Sequence, residues 1–167
     1  MPVVRLSYPK GALSRAQKQK LAAELTEVVL DAEVDAVTEG GRMVTVIQFQ
    51  EAAADDWAVG GELRSATESP PNHFIVDVIV LQGLLEGERR RETHRRIAEA
   101  FQHACGGRDG DPMLALRVWV LIHEVREGSW GAAGGTVSAL DVAQFINPDI
   151  DASRRSEIGA AIASRPS

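Results

Sequence analysis

PVVRLSYPKGALSRAQKQKLAAELTEVV, residues 2–29, decides the fold because its apolar spacing changes partway along. Residues 2–8 are rich in β-branched and apolar side chains and run into Pro9 and Gly11, which reads as a short strand and a turn. Arg5 falls on the strand face opposite Pro2, Val4 and Leu6, where a structural role is expected. Ser14 is a natural helix N-cap. Behind it Leu21, Leu25, Val28 and Val29 form a helical stripe that would face a sheet. Gly40 and Gly41 end the connection, MVTVIQFQE (43–51) supplies a second strand, and AAADDWAVGGEL (52–63) is a loop closing on a glycine pair.

The same order then recurs. HFIVDVIVLQG (73–83) is a strand apolar enough to be buried on both faces. After Gly87 comes a helix carrying Ile97, Phe101 and Cys105, then the loop GGRDGDP (106–112). LRVWVLIHE (116–124) is a strand, and VREGSWGAAGG (125–135) a loop closing on a glycine pair. Matched by eye, Gly11 falls on Gly87, Leu21 on Ile97, Leu25 on Phe101, Glu51 on Glu124, Trp57 on Trp130, and Gly60-Gly61 on Gly134-Gly135. ESPPN (68–72) has the composition of a join.

The expected fold is therefore α+β, with two tandem β-α-β units over residues 2–69 and 70–136 and a carboxy-terminal interface arm or helix over 137–167. Right-handed crossovers would give a four-stranded sheet with two helices on one face. The other face is too apolar to leave in water, so self-association about a symmetry axis is expected.

Bulk properties exclude several classes of function. The 167 residues carry a net charge of −6, against a dedicated nucleic-acid binder. The arginine-rich run from Arg89 to Arg96 alternates with glutamates, as a solvated helix face does. No apolar run could span a bilayer and no leader pattern opens the chain, so a cytoplasmic protein without membrane partners is expected. One cysteine, Cys105, and four scattered histidines give no metal-ligand spacing, so neither metal nor other cofactor is expected. Cys105 reads as a buried small hydrophobe, and His123, beside Glu124, as a hydrogen-bonded strand histidine.

A doubled β-α-β unit opening Met-Pro resembles the tautomerase superfamily. The likeness is to fused 4-oxalocrotonate tautomerases and to cis-3-chloroacrylic acid dehalogenase. Pro2, the turn at Gly11, the helix LSRAQKQKLAAELTEVV, the strand VIQFQE and the loop DDWAVGGEL carry it, within residues 2–136. It implies a MIF-like fold assembled as a homotrimer, removal of Met1, and Pro2 as catalytic base. An N-terminal proline is a secondary amine, whereas an internal one is an amide without a basic lone pair. Burial lowers such an amine from about 8 towards neutrality, where it can move a proton on carbon beside a carbonyl. The counterpart of Pro2 falls near Val78, inside the chain, so one competent site per chain is expected.

The resemblance also implies substrate-binding residues, with partial matches. Its aromatic position falls on Trp57, repeated at Trp130, each open to a packing role as well. Its two arginine positions fall on Ala12 and Val46, leaving Arg42 and Arg117 as the nearest substitutes for orienting a carboxylate. The expected activity is a cofactor-independent tautomerase (an isomerase) acting on small 2-oxo acids or enols. The alternatives are a promiscuous hydratase, dehalogenase or decarboxylase of the same superfamily, or a non-catalytic trimer. The dehalogenase's water-activating positions are Val29, Leu85, Glu88, Leu121 and Ala132 here, which disfavours hydration.

Overall fold

A computed structural model describes residues 2–68, 71–106 and 111–164. The chain runs β1 (Val3–Pro9), α1 (Arg15–Val34), α2 (Glu39–Val44), β2 (Val46–Ala52), the hairpin β3 (Ala58–Val59) and β4 (Glu62–Leu63), and β5 (Phe74–Leu81). It continues with α3 (Gly87–Cys105), β6 (Val118–Val125), the hairpin β7 (Gly131–Ala132) and β8 (Gly135–Thr136), α4 (Ala139–Ile146) and α5 (Ala152–Ala163).

The strand order is β2-β1-β5-β6. Within each unit the pair is parallel, and the units join through antiparallel β1 and β5, with Val3 opposite Ile79 and Ser7 opposite Ile75. The amino-terminal end of β1 therefore lies beside the carboxy-terminal end of β5. Strand parity does the rest. Val4, Leu6 and Tyr8 of β1 and Val76, Val78 and Val80 of β5 are sealed beneath α1 and α3, which pack against each other in one core. Ser14 caps α1 as expected, in a capping box: its Oγ accepts from Gln17 N at 3.3 Å and its own N–H donates to Gln17 Oε1 at 2.8 Å.

The repeat is real, but its register corrects the sequence match. Gly11 (φ +81°) corresponds to Gly83 (φ +87°), each ending the first strand of its unit. A spacing of 72 aligns β1 and α1 with β5 and α3, so the buried set Leu21, Leu25, Val28 and Val29 falls on Thr93, Ile97, Ala100 and Phe101. The counterpart of Pro2 is thus Phe74, not Val78. From β2 onward the spacing is 73, which keeps Glu51 on Glu124 and Trp57 on Trp130. The glycine pairs differ by one place: positive φ occurs at Gly60 and Gly61 in one hairpin and at Ala133 and Gly134 in the other. The two matched glutamates have a common task. Lys18 Nζ lies 2.8 Å from Glu51 Oε1, and at the corresponding places Arg90 Nη2 lies 3.2 Å from Glu124 Oε1, each pair tying a helix to its second strand.

The sheet face turned away from the helices mixes polar and apolar side chains rather than being uniformly apolar. Arg5 stands opposite Asp77, and Asp77 Oδ1 lies 2.7 Å from His123 Nε2. Val46, Trp119 and Leu121 are about half exposed there. The β5 residues on this face are half-buried, so β5 is sealed on its helix face only.

The carboxy-terminal helices wrap one end of the sheet. Ala139, Val142, Ala143, Ile146, Ile150 and Ile158 form a second core with Leu30 and Val34 of α1, with Leu81 at the end of β5 and with Leu84 just beyond it. Thr38 Oγ1 donates to Ile146 O at 2.5 Å, and Asn147 Nδ2 to Val34 O at 2.8 Å. Gly40 and Gly41 lie inside α2, not at a loop's end. A Cβ on Gly41 would come within 2.9 Å of both Leu30 and Ile146, so the close approach of α2 to the second core requires glycine there.

Candidate active site

Pro2 is buried and leads into β1, its carbonyl accepting from Val46 N at 3.1 Å. This is the end of the sheet that the second core covers. Trp130 packs against that core together with Val44 and Val137. A cavity of about 390 Å³ opens here. Val44 forms one side, Ala132 and Ala133 of the second hairpin another, and Val137, Val142 and Phe145 the wall supplied by the carboxy-terminal segment. Asp141 is the one charged residue among those lining it, and its Oδ2 accepts from Ser138 Oγ at 2.7 Å.

The residues singled out in the sequence are not all gathered there. Trp130 is at the Pro2 end. Trp57, its repeat, is at the opposite end, lining two cavities with His73, one of which also holds Arg64 and the other Trp119. Antiparallel pairing of β1 with β5 imposes this division, because the loops after β2 and β6 leave the sheet in opposite directions. Arg117 also belongs to the far end. Its guanidinium is ion-paired to Asp111 and donates to Asn72 O at 3.4 Å and to Met113 O at 3.3 Å. Arg42 is at the Pro2 end, two residues before Val44, but its Nη2 donates to Glu27 Oε1 at 2.8 Å on the outer side of α1. Neither arginine lines the cavity.

Cys105 ends α3 against the main core, and burial pushes its thiol up to about 11, which keeps it protonated and unreactive at neutral pH. His123 is engaged with Asp77 on the open face, away from the helices.

Two features escaped the sequence reading. One is the wall built by residues 137–145, read as an interface arm. The other is Glu33, wholly buried in the last turn of α1. Burial raises its carboxyl above the ordinary range, opposed first by the positive charge of the amino terminus and then by Arg154. The available signal was a lone acid on the apolar stripe, four residues after Val29.

No protein-family model matches the sequence, and no curated protein does. Solved structures do match in shape. A native fused 4-OT superposes with a TM-score of 0.64 at 19% identity, over 80% of this chain and 94% of that one. A fused 4-OT wild-type symmetric trimer gives 0.62 at 21% identity, over 84% and 98%. N1, a member of the cis-3-chloroacrylic acid dehalogenase family, gives 0.64 at 14% identity, over 95% and 99%. The chain has the fold of the fused 4-OT chains.

Proposed function

We propose that this protein is a tautomerase that uses Pro2, exposed as the first residue by loss of Met1, as the general base on small 2-oxo acids or their enols. The observation that carries this reading is the burial of Pro2 at the end of the sheet where an apolar cavity bordered by Phe145 opens and where Trp130 packs against the second core. A secondary amine in such surroundings gives up its proton more readily than in water. It can then take a proton from the carbon beside a carbonyl and return it to another atom of the same enol. Proline's ring restricts the backbone there and holds the nitrogen at the strand's edge.

Of the two arginines, Arg42 is the better candidate to meet a substrate carboxylate. It lies at the Pro2 end, and its partner Glu27 is half exposed, so exchanging that ion pair for a substrate costs little. Trp130 rather than Trp57 is the tryptophan at the Pro2 end within one chain. The trimeric fused 4-OT structures support a homotrimer of this chain, which would cover the open sheet face.

The test is ketonisation of phenylenolpyruvate and 2-hydroxymuconate by the chain that starts at Pro2. Pro2→Ala is expected to lose about 10²-fold or more in kcat, and Arg42→Ala to raise KM for the dianion. Equal slow rates for wild type and Pro2→Ala would overturn the proposal.

A further inference from the structure

The stripe that seats α1 on the sheet runs Leu21, Leu25, Val29, and its next position is an acid, Glu33. All four residues are wholly buried. Because α1 returns antiparallel to β1, each step of four along the stripe moves back towards the start of the strand. Along β1 the residues facing the helices are Val4, Leu6 and Tyr8, and Pro2 shares their parity and is itself buried. The last turn of α1 therefore brings buried Glu33 to the end of the sheet at which Pro2 leads into β1.

The second unit provides an internal control. At the spacing of 72, Pro2 corresponds to Phe74 and Glu33 to Cys105. Phe74 is an interior residue, 4.9 Å between ring centroids from Phe101, and Cys105 packs on the same apolar core. The unit that could present an amine has a buried acid at the same end of the sheet. The unit that cannot has a thiol.

A carboxyl group sealed from water persists only where cations or donors face it. On α5, the guanidinium of Arg154 is 4% exposed, and its Nη2 donates to Glu33 O at 2.8 Å and to Leu84 O at 2.6 Å. On α3, Arg89 Nη1 donates to Ala32 O at 3.3 Å and pairs with Asp35, while Glu157 of α5 lies 3.1 Å from Arg154. These contacts fix the helix end and its backbone. Among the cations, the charge acting most strongly on the Glu33 carboxyl is that of the amino terminus, which belongs to Met1 while that residue is present and passes to Pro2 on its loss.

We infer that Glu33 is a positioning residue for Pro2, its carboxyl group accepting a hydrogen bond from the proline nitrogen and holding that nitrogen towards the cavity. This rests on the reading of Pro2 as the base. Glu33 touches neither substrate nor the migrating proton; it acts through the amine, whose ammonium form it favours.

The experiment compares wild type with Glu33→Gln, both starting at Pro2. Alkylation of Pro2 by 3-bromopyruvate, followed across pH by the mass of the amino-terminal peptide, reports the amine's protonation without requiring turnover. Loss of the negative charge is expected to move the midpoint of alkylation down by about one pH unit. The low-pH limb of kcat should move in the same direction, with kcat reduced and KM little changed, and Glu33→Asp should restore part of the shift. In wild type, the carboxyl carbon of Glu33 and the nitrogen of Pro2 should show a shared inflection by NMR, a readout that stands even if the variants do not fold. An unmoved alkylation midpoint, or separate inflections in wild type, would overturn the inference. Unchanged turnover in Pro2→Ala would instead overturn the base reading, and the alkylation and NMR results would still decide the contact.

Discussion

The two ends of the sheet began as the same object and now differ in every respect that matters to chemistry. One end has Pro2, Glu33, Trp130 and an apolar cavity walled by the carboxy-terminal segment. The other has Phe74, Cys105, Trp57 and smaller cavities bordered by His73. Backbone, helix stripe and hairpin are shared. The scaffold occurs twice, and on the reading proposed above only the end with Pro2 would bring a free amine to a buried acid.

Exchanging the core residue at the far end should give the largest effect. Phe74→Ala removes a ring that touches Tyr8 and Phe101, and is expected to cost about 3–5 kcal/mol in urea unfolding while leaving the kcat of the surviving folded protein near wild type. A drop in kcat as large as that of Pro2→Ala would erase the distinction between the ends. Next come the tryptophans. Trp130→Ala should lower kcat/KM about tenfold, equivalent to ~1.4 kcal/mol, and Trp57→Ala by clearly less, both by steady-state ketonisation. The reverse order would place the aromatic wall in a neighbouring protomer.

The hairpins offer a subtler exchange. Gly60 has φ +64° and its counterpart Ala133 φ +51°, a region that costs an L-residue roughly 1 kcal/mol. Gly60→Ala should therefore destabilise by about that amount, and Ala133→Gly should be neutral or slightly stabilising, read as shifts in Tm. The smallest effect belongs to the matched ion pairs. The hydrogen bond from Lys18 holds Glu51 below its ordinary 4.5, and the same bond raises Lys18 above 10.5. A depressed acid stabilises above its unfolded value and loses that contribution as pH falls through the folded one, so the pair is at full strength between those limits. Lys18→Met should be slightly less stable than wild type at pH 7, with the gap closing on acidification below pH 4.5; a gap that persists would assign the loss to the Lys18 ammonium's place over the Tyr8 ring.

Much of this architecture was legible in the sequence because strands and helices have different periods. The cap at Ser14 and the strand within residues 73–83 followed from residue type and spacing alone. The repeat was legible too, but not its register. A stripe spaced by four looks alike when shifted by four, so Leu21 and Leu25 fit Ile97 and Phe101 as well as they fit the true partners, Thr93 and Ile97. Thr93 hid the correct frame: it is buried, with its hydroxyl satisfied by Arg89 O at 2.7 Å. The arginines were less legible. Which group a long cation meets depends on loops such as the one that brings Asp111 to Arg117, and no local pattern encodes that meeting. Glu33 was invisible for a related reason, since an acid ending a helical stripe usually marks the point where the helix leaves the core.

Strands β2 and β6 bound the sheet, and each has one edge that no other strand among the described residues pairs. β2 carries neither proline nor lysine to discourage an incoming strand, and half-exposed Val46 and Leu121 lie close to these margins. An isolated copy would present two templates for strand addition beside a partly greasy surface. In the proposed trimer, dilution or mutation that separates protomers should then yield precipitate rather than a stable monomer, which would make solubility a property of the assembly.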